Sequence, residues 1–121
     1  MTCDWMPEAL NTIKSFVHLQ EGWDSYDGSP IDEETLLNAI EIVGKLASIG
    51  GIAKPFIFPM GSGNINFDIM LKNISIEIEV KKDKFLILLE RLNVEEEDQY
   101  FETNSISLVG DYLYMLNYGK F

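Results

Sequence analysis

The residues best placed to do chemistry lie in one loop-like run, Trp23-Asp24-Ser25-Tyr26-Asp27-Gly28-Ser29-Pro30. Counted from Trp23, Asp27, Gly28 and Glu34 fall where a calcium-binding EF-hand loop places its fifth, sixth and twelfth residues. The first and third ligand positions would then be Trp23 and Ser25, so the acidic start that holds the ion is missing. Short acidic side chains in such turns commonly accept hydrogen bonds from nearby backbone amides, and a large aromatic there needs an apolar partner. Asp24 and Asp27 are therefore expected to shape the loop, and Trp23 to anchor it in the core.

Other chemistry is sparse. His18 is the only histidine and Cys3 the only cysteine, so neither a triad nor an ordinary zinc site can be assembled. Asp4 beside Cys3 would raise a thiol pKa and blunt its reactivity. Gly61-Ser62-Gly63-Asn64 lacks the Lys-Ser/Thr of a phosphate loop and opens no helix, so it reads as a turn. Glu77 and Glu79 share one strand face, but the sequence offers them no base or metal ligand. The sequence thus predicts no enzyme, no metal and no cofactor.

What the sequence does carry is negative charge. Twenty acidic and nine basic residues give a net charge of −11. Such a balance disfavours direct binding to nucleic acid or to an anionic membrane, and suits a basic protein partner. Six acids fall in residues 21–34 and six in residues 90–102. If the two segments adjoin, Asp24, Asp27, Glu33, Glu95, Glu96, Glu97 and Asp98 would form one patch able to steer toward a positive surface. They could equally lie on opposite sides. Solubility alone is the plainer use for the charge.

These residues must be positioned by a small fold. At 121 residues, with 46% hydrophobic and 24% charged, residues 1–121 read as a single globular domain. Pro7, Leu10, Ile13 and Val17 predict a helix over residues 7–20, with Gly22 as its C-cap. Asp32 reads as the N-cap of a second helix, followed by acids in the first turn, where the helix dipole favours them. Its apolar face is Leu36, Ile40, Val43 and Ala47, widened by Leu37 and Leu46, and Gly50-Gly51 ends it. Beyond Gly51 the apolar period changes to two. Strands are predicted over residues 56–58, 65–71, 74–80 and 85–89, joined by tight turns. The continuous apolar run Phe85–Leu89 predicts a more central strand, in a meander covered on one face by helices. Residues 105–117 mix helix and strand signals and are read as a short final helix. The fold class is α+β: two N-terminal helices on an antiparallel meander of about four strands.

With a single cysteine, no signal-peptide pattern in its first residues and no long apolar run, the sequence predicts a cytoplasmic protein. The run Leu19–Tyr26, with Gly22-Trp23-Asp24 at its centre, followed by Pro30-Ile31 and a capped helix, resembles small bacterial proteins of mobile-element type. Pro59, Gly61, Gly63 and the alternation Ile65–Ile69 correspond to that family's later turn and strand. Phe67 stands where members often have Trp. The resemblance spans roughly residues 19–90 and implies a helix–loop–helix–meander order, in a bacterial cell or a phage-infected host. It brings no activity with it.

The resulting expectation is a non-catalytic binder that neutralises a basic or nucleic-acid-binding protein, antitoxin-like or anti-defence in character. A structural subunit that assembles through a sheet edge is the alternative, and a small enzyme or small-molecule binder a more distant one.

Overall fold

The computed structural model describes residues 4–26, 28–49, 51–92, 95 and 97–118. Helix α1 (Met6–Ser15) runs into a single 3-10 turn (Phe16–His18), and after a loop comes helix α2 (Glu33–Ile49). Strands β1 (Phe56–Pro59), β2 (Ile65–Leu71), β3 (Ile74–Val80), β4 (Phe85–Arg91) and β5 (Gln99–Thr103) follow, and helix α3 (Ile106–Tyr118) closes the order. The strands form one antiparallel meander in sequence order, β1-β2-β3-β4-β5. Among the described residues no helix is long and apolar enough to cross a membrane.

The period-two alternation sorts the sheet into two unlike faces. Ile65, Phe67, Ile69 and Leu71 pair with Val80, Ile78, Ile76 and Ile74, and the row continues into Phe85, Ile87 and Leu89. All of these are buried, and all three helices pack on that side. Helix α1 contributes Ala9 and Ile13, α2 contributes Ala39, Ile42, Val43 and Leu46, and α3 contributes Val109, Leu113 and Leu116. Trp5 ties the N-terminal side to the approach to β1, its indole N–H donating to the Ile52 carbonyl at 2.9 Å.

The α+β class is as expected, but the elements differ in detail. There are five strands, not four. The alternation of β5 is short and follows directly on an acidic run, which hid it. Helix α1 ends at Ser15, and Leu19 is already extended, so Gly22 is not its C-cap. Gly22 (φ +78°) instead lies in the turn that follows. The core stripe of α2 is Thr35, Ala39, Ile42, Val43, Leu46 and Ile49; Leu36 and Ile40 are half-buried and Leu37 is exposed. Asp32 immediately precedes α2, and its carbonyl accepts the Leu36 N–H at 3.0 Å, the bond that an N-cap carbonyl makes.

The final helix is a full 13 residues. Gly110, whose type disfavours a helix interior, lies where α3 meets α2: a Cβ there would come within 2.9 Å of the Lys45 side chain. A glycine normally weakens a helix interior, and here it makes room for a neighbouring side chain. At the other end of α3 the Tyr118 hydroxyl donates to the Ile49 carbonyl, and the Lys72 ammonium to the Asn117 carbonyl. Lys72 opens the two-residue β2–β3 turn at φ +53°, a conformation that costs a non-glycine residue free energy. Its bond to α3 offsets part of that cost.

Tyr112 of α3 packs edge-to-face on Phe101 of β5, with centroids 4.7 Å apart. Burial raises its phenol pKa above the ordinary 10.0, and the Arg91 charge pulls partly the other way. A pKa higher in the folded than in the unfolded state means that the native protein holds the proton longer. The corresponding stability is fully present below about pH 10 and is lost as pH rises through the folded value. Melting temperature should therefore fall more steeply above pH 10 in the parent than in Tyr112→Phe. Identical alkaline limbs would show that the phenol proton is not coupled to folding.

Candidate functional site

The loop expected to hold binding residues is closed on itself. The Asp24 carboxylate accepts from the backbone N–H groups of Tyr26 at 3.0 Å and Gly28 at 2.9 Å. The Gly22 N–H donates to the Gly28 carbonyl at 2.7 Å, and the Trp23 indole N–H to the Ser29 carbonyl, also at 2.7 Å. Trp23 is half-buried, so it fastens its own loop and is not a fully buried core anchor. The Ser29 N–H donates to the Gly61 carbonyl at 2.9 Å, which docks the loop on the β1–β2 turn.

That docking fixes where the two acidic segments lie. The β1–β2 turn and the β3–β4 turn share one end of the sheet. The start of α2, including Glu33, is held at this end by the Asn38 amide, which donates to the Lys81 and Lys82 carbonyls. Glu95, Glu97 and Asp98 are exposed in the connection from β4 to β5. The opposite end of the sheet holds that connection, where the Leu92 N–H meets the Asn73 carbonyl at 2.7 Å. A seven-residue strand spans about 23 Å, more than two Debye lengths at physiological salt. Asp24 and Glu33 therefore do not form one patch with Glu95, Glu97 and Asp98; of the second segment Glu102, opposite Leu86, lies toward the loop's end of the sheet. Asp27 and Glu96 lie outside the described residues.

A different surface brings acids together. The side of the sheet away from the helices presents Asp68 of β2, Glu77 and Glu79 of β3, Glu90 of β4 and Glu102 of β5. No Lys, Arg or His occupies an outward position on the described strands. Lys84, in the β3–β4 turn, approaches Glu102 at a long 3.5 Å, and both side chains are well exposed. Asp68 and Glu77 sit directly opposite one another, a like-charge pair that costs the sheet stability. Asparagines orient two of the acids without neutralising them: Asn64 donates to Glu79 Oε2 at 2.7 Å and Asn66 to Asp68 Oδ1 at 2.8 Å.

Between the carboxylates lie apolar groups. Leu86 and Leu88 project outward from β4 and are half-buried, Tyr100 projects from β5 and is 61% exposed, and Phe56, Phe58 and Met70 rim the β1–β2 side. Strand β4 is internal to the sheet, between β3 and β5, and the helices cover one face of it, as expected of the meander. Among the described elements nothing covers the other. A recess of about 140 Å³ opens there, lined by Asn66, Glu77, Glu79, Leu86, Leu88 and Tyr100. A second, largely apolar depression lies between α1 and the start of α2, with Lys14 and Glu33 among its lining residues.

Glu77 and Glu79 are visible in the sequence as a pair on a solvent face. The surroundings that make them a site are not, because Tyr100 belongs to the strand that sequence reasoning missed. The period-two order of β4, which sets Leu86 and Leu88 opposite to Phe85, Ile87 and Leu89, could have pointed to it, but in a continuous apolar run it does not say which set is covered. Among the described residues no three His, Cys, Asp or Glu side chains converge as a metal would need. Compared with known proteins, the chain matches no family model, no curated protein and no solved structure.

Proposed function

We propose that this chain is a non-catalytic acidic protein that binds and neutralises a basic or nucleic-acid-binding protein, as an antitoxin or a phage-encoded anti-defence inhibitor does. The observation that carries the reading is the uncovered sheet face, on which five carboxylates surround aliphatic and aromatic side chains, no described strand presents a basic residue outward, and Lys84 of the β3–β4 turn meets Glu102 at the rim. Opposite charge speeds encounter and selects the partner, while desolvated apolar groups supply the affinity. A partner whose basic surface is occupied in this way loses the groups with which it would neutralise phosphates. The resemblance of the Gly22-Trp23-Asp24 segment to mobile-element proteins supports the antitoxin or anti-defence setting, in the cytoplasm of a bacterial cell or an infected host. Exposed Glu33, Glu95, Glu97 and Asp98 serve in this reading as outlying steering charges. The alternative, a subunit assembling with its own copies, has the open edge of β5 in its favour. Face-to-face self-association is opposed by the like charge of the two surfaces.

The test is affinity capture from host lysate with the parent chain and with the double variant Glu77→Lys/Glu79→Lys, at low and high salt. The expected result is a basic protein retained by the parent at low salt, released by salt, and not retained by the variant. Retention that ignores both salt and charge reversal would overturn the reading. So would sedimentation of the purified parent as a stable oligomer with no bound partner.

A further inference from the structure

We propose that the recess on the open sheet face is a socket for a single arginine side chain of the protein partner; this rests on the reading above and names its anchor. Register gives the geometry. One row across the strands reads Asp68, Glu77, Leu88, Tyr100, and the next reads Asn66, Glu79, Leu86, Glu102. Glu77 and Tyr100 thus stand two strand spacings apart, about 10 Å, with Leu88 between them as a floor. A planar cation lying on Leu88 meets a carboxylate on one side and an aromatic ring on the other. Glu79, one row along, lines the same recess and has Oε2 engaged by Asn64, which fixes the carboxylate and leaves Oε1 to accept from a ligand.

The size of the recess limits the occupant. At about 140 Å³ and open to solvent, it takes the end of one side chain. That is room for a guanidinium with the end of its stem, the rest of the partner lying outside it. Chemistry then separates arginine from lysine. The guanidinium is flat, weakly hydrated, able to stack on an aromatic ring and to bond carboxylates through several N–H groups, whereas an ammonium keeps its water. Leu86 and Leu88 are suited to the first and unfavourable to the second. A cation seated here also relieves the repulsion between Asp68 and Glu77, which no basic residue on the described face offsets. A second copy of this chain is not the occupant, because the face would meet its own carboxylates.

The experiment titrates methyl- and aromatic-labelled protein with Nα-acetyl-arginine amide, and in parallel with Nα-acetyl-lysine amide, at low salt, followed by NMR. The expected result is saturable shifts confined to the Leu86 and Leu88 methyls and the Tyr100 ring, with arginine binding several-fold more tightly than lysine. Glu77→Gln/Glu79→Gln should weaken arginine about tenfold or more, and Tyr100→Leu should remove the preference over lysine. Unchanged far-UV dichroism and melting would show that the variants are folded. Equal binding of the two amides would overturn the socket, as would shifts spread over exposed groups away from the recess such as Val17, Leu37 and Tyr114, or variants that bind like the parent. Loss of the socket alongside salt-sensitive capture of a basic partner would leave the face as a docking surface without this anchor. The opposite pattern, with arginine seated and no basic partner captured, would remove the broader reading and leave the socket.

Discussion

Phe67→Ala should destabilise the protein by about 3–5 kcal/mol, the usual cost of replacing a fully buried aromatic by alanine. Phe67 has no exposed surface and is the largest of the fully buried side chains. It sits mid-strand on β2, in register with Ile57 of β1 on one side and Ile78 of β3 on the other. Those neighbours belong to a regular sheet held by ladder bonds, so they cannot collapse far into the space the ring leaves. Domains of this kind have a total stability of about 5–15 kcal/mol, so the variant should lose about a fifth of it or more. For a chain of intermediate size the melting temperature should fall by roughly 10–25 °C. Phe56→Ala is the matched control. Phe56 is 66% exposed on the opposite sheet face, where its ring touches Phe58. Its loss should cost about 1 kcal/mol at most, since surface substitutions usually stay small. Denaturant curves for the two variants measure the difference directly. A Phe56 cost equal to the Phe67 cost would mean that the covered and uncovered faces are assigned the wrong way round.

That pair of phenylalanines also shows what could be read from the sequence and what could not. Alternation is a local signal, so Ile65 to Leu71 and Ile74 to Val80 declare both their strands and their buried side from the order of residues alone. The same period places Glu77 and Glu79 outward. What alternation cannot say is whether the outward side will be covered, because that depends on where remote helices pack. Phe85–Leu89 reads as a more central strand, but a continuous apolar run does not tell which of its side chains will face the helices; Phe85, Ile87 and Leu89 do, and Leu86 and Leu88 are left half-uncovered. Helix α2 shows a similar limit. Its boundaries are legible from Asp32 and the paired glycines, but the core stripe is displaced by about one residue. Thr35 and Ala39, small enough to let the helix approach the sheet, take the inward positions expected of Leu36 and Ile40. Segment 99–103 is hidden for a further reason: with Glu95 to Asp98 just ahead of it, its own pattern is too brief to stand out. Without β5 there is no Tyr100, and without Tyr100 the carboxylates of β3 look like any solvated strand face. Asp24 and Glu33 fail to join Glu95, Glu97 and Asp98 in one patch because the spacing of charges along a chain says nothing about which end of a sheet a loop occupies.

Asp24→Ala should cost roughly 2–4 kcal/mol, far more than removal of an ordinary surface carboxylate, because two backbone N–H groups lose a charged acceptor at once. The consequence extends beyond the loop. Gly28 donates to Asp24 and accepts from Gly22, and the next residue, Ser29, accepts from the Trp23 indole and donates to Gly61. Freeing Gly28 therefore loosens the attachment of the loop to the β1–β2 turn. Asp24→Asn keeps a carbonyl oxygen able to accept both bonds and should retain most of the stability, losing only the charge assistance. Gly28→Ala approaches the same contact from the other side. A Cβ on Gly28 would lie 2.6 Å from Asp24 Oδ1, so the carboxylate must move and its bonds must lengthen. This variant should be destabilised although every acidic residue is present. Melting temperatures of the three variants, together with capture of the basic partner, separate structure from recognition. The expected order of stability is parent, then Asp24→Asn, with Asp24→Ala and Gly28→Ala lowest, and partner capture by Asp24→Asn should match the parent. Should Asp24→Asn and Asp24→Ala melt like the parent yet both fail to capture the partner, Asp24 would be a recognition residue, and the contact surface would have to extend from the sheet face to this loop.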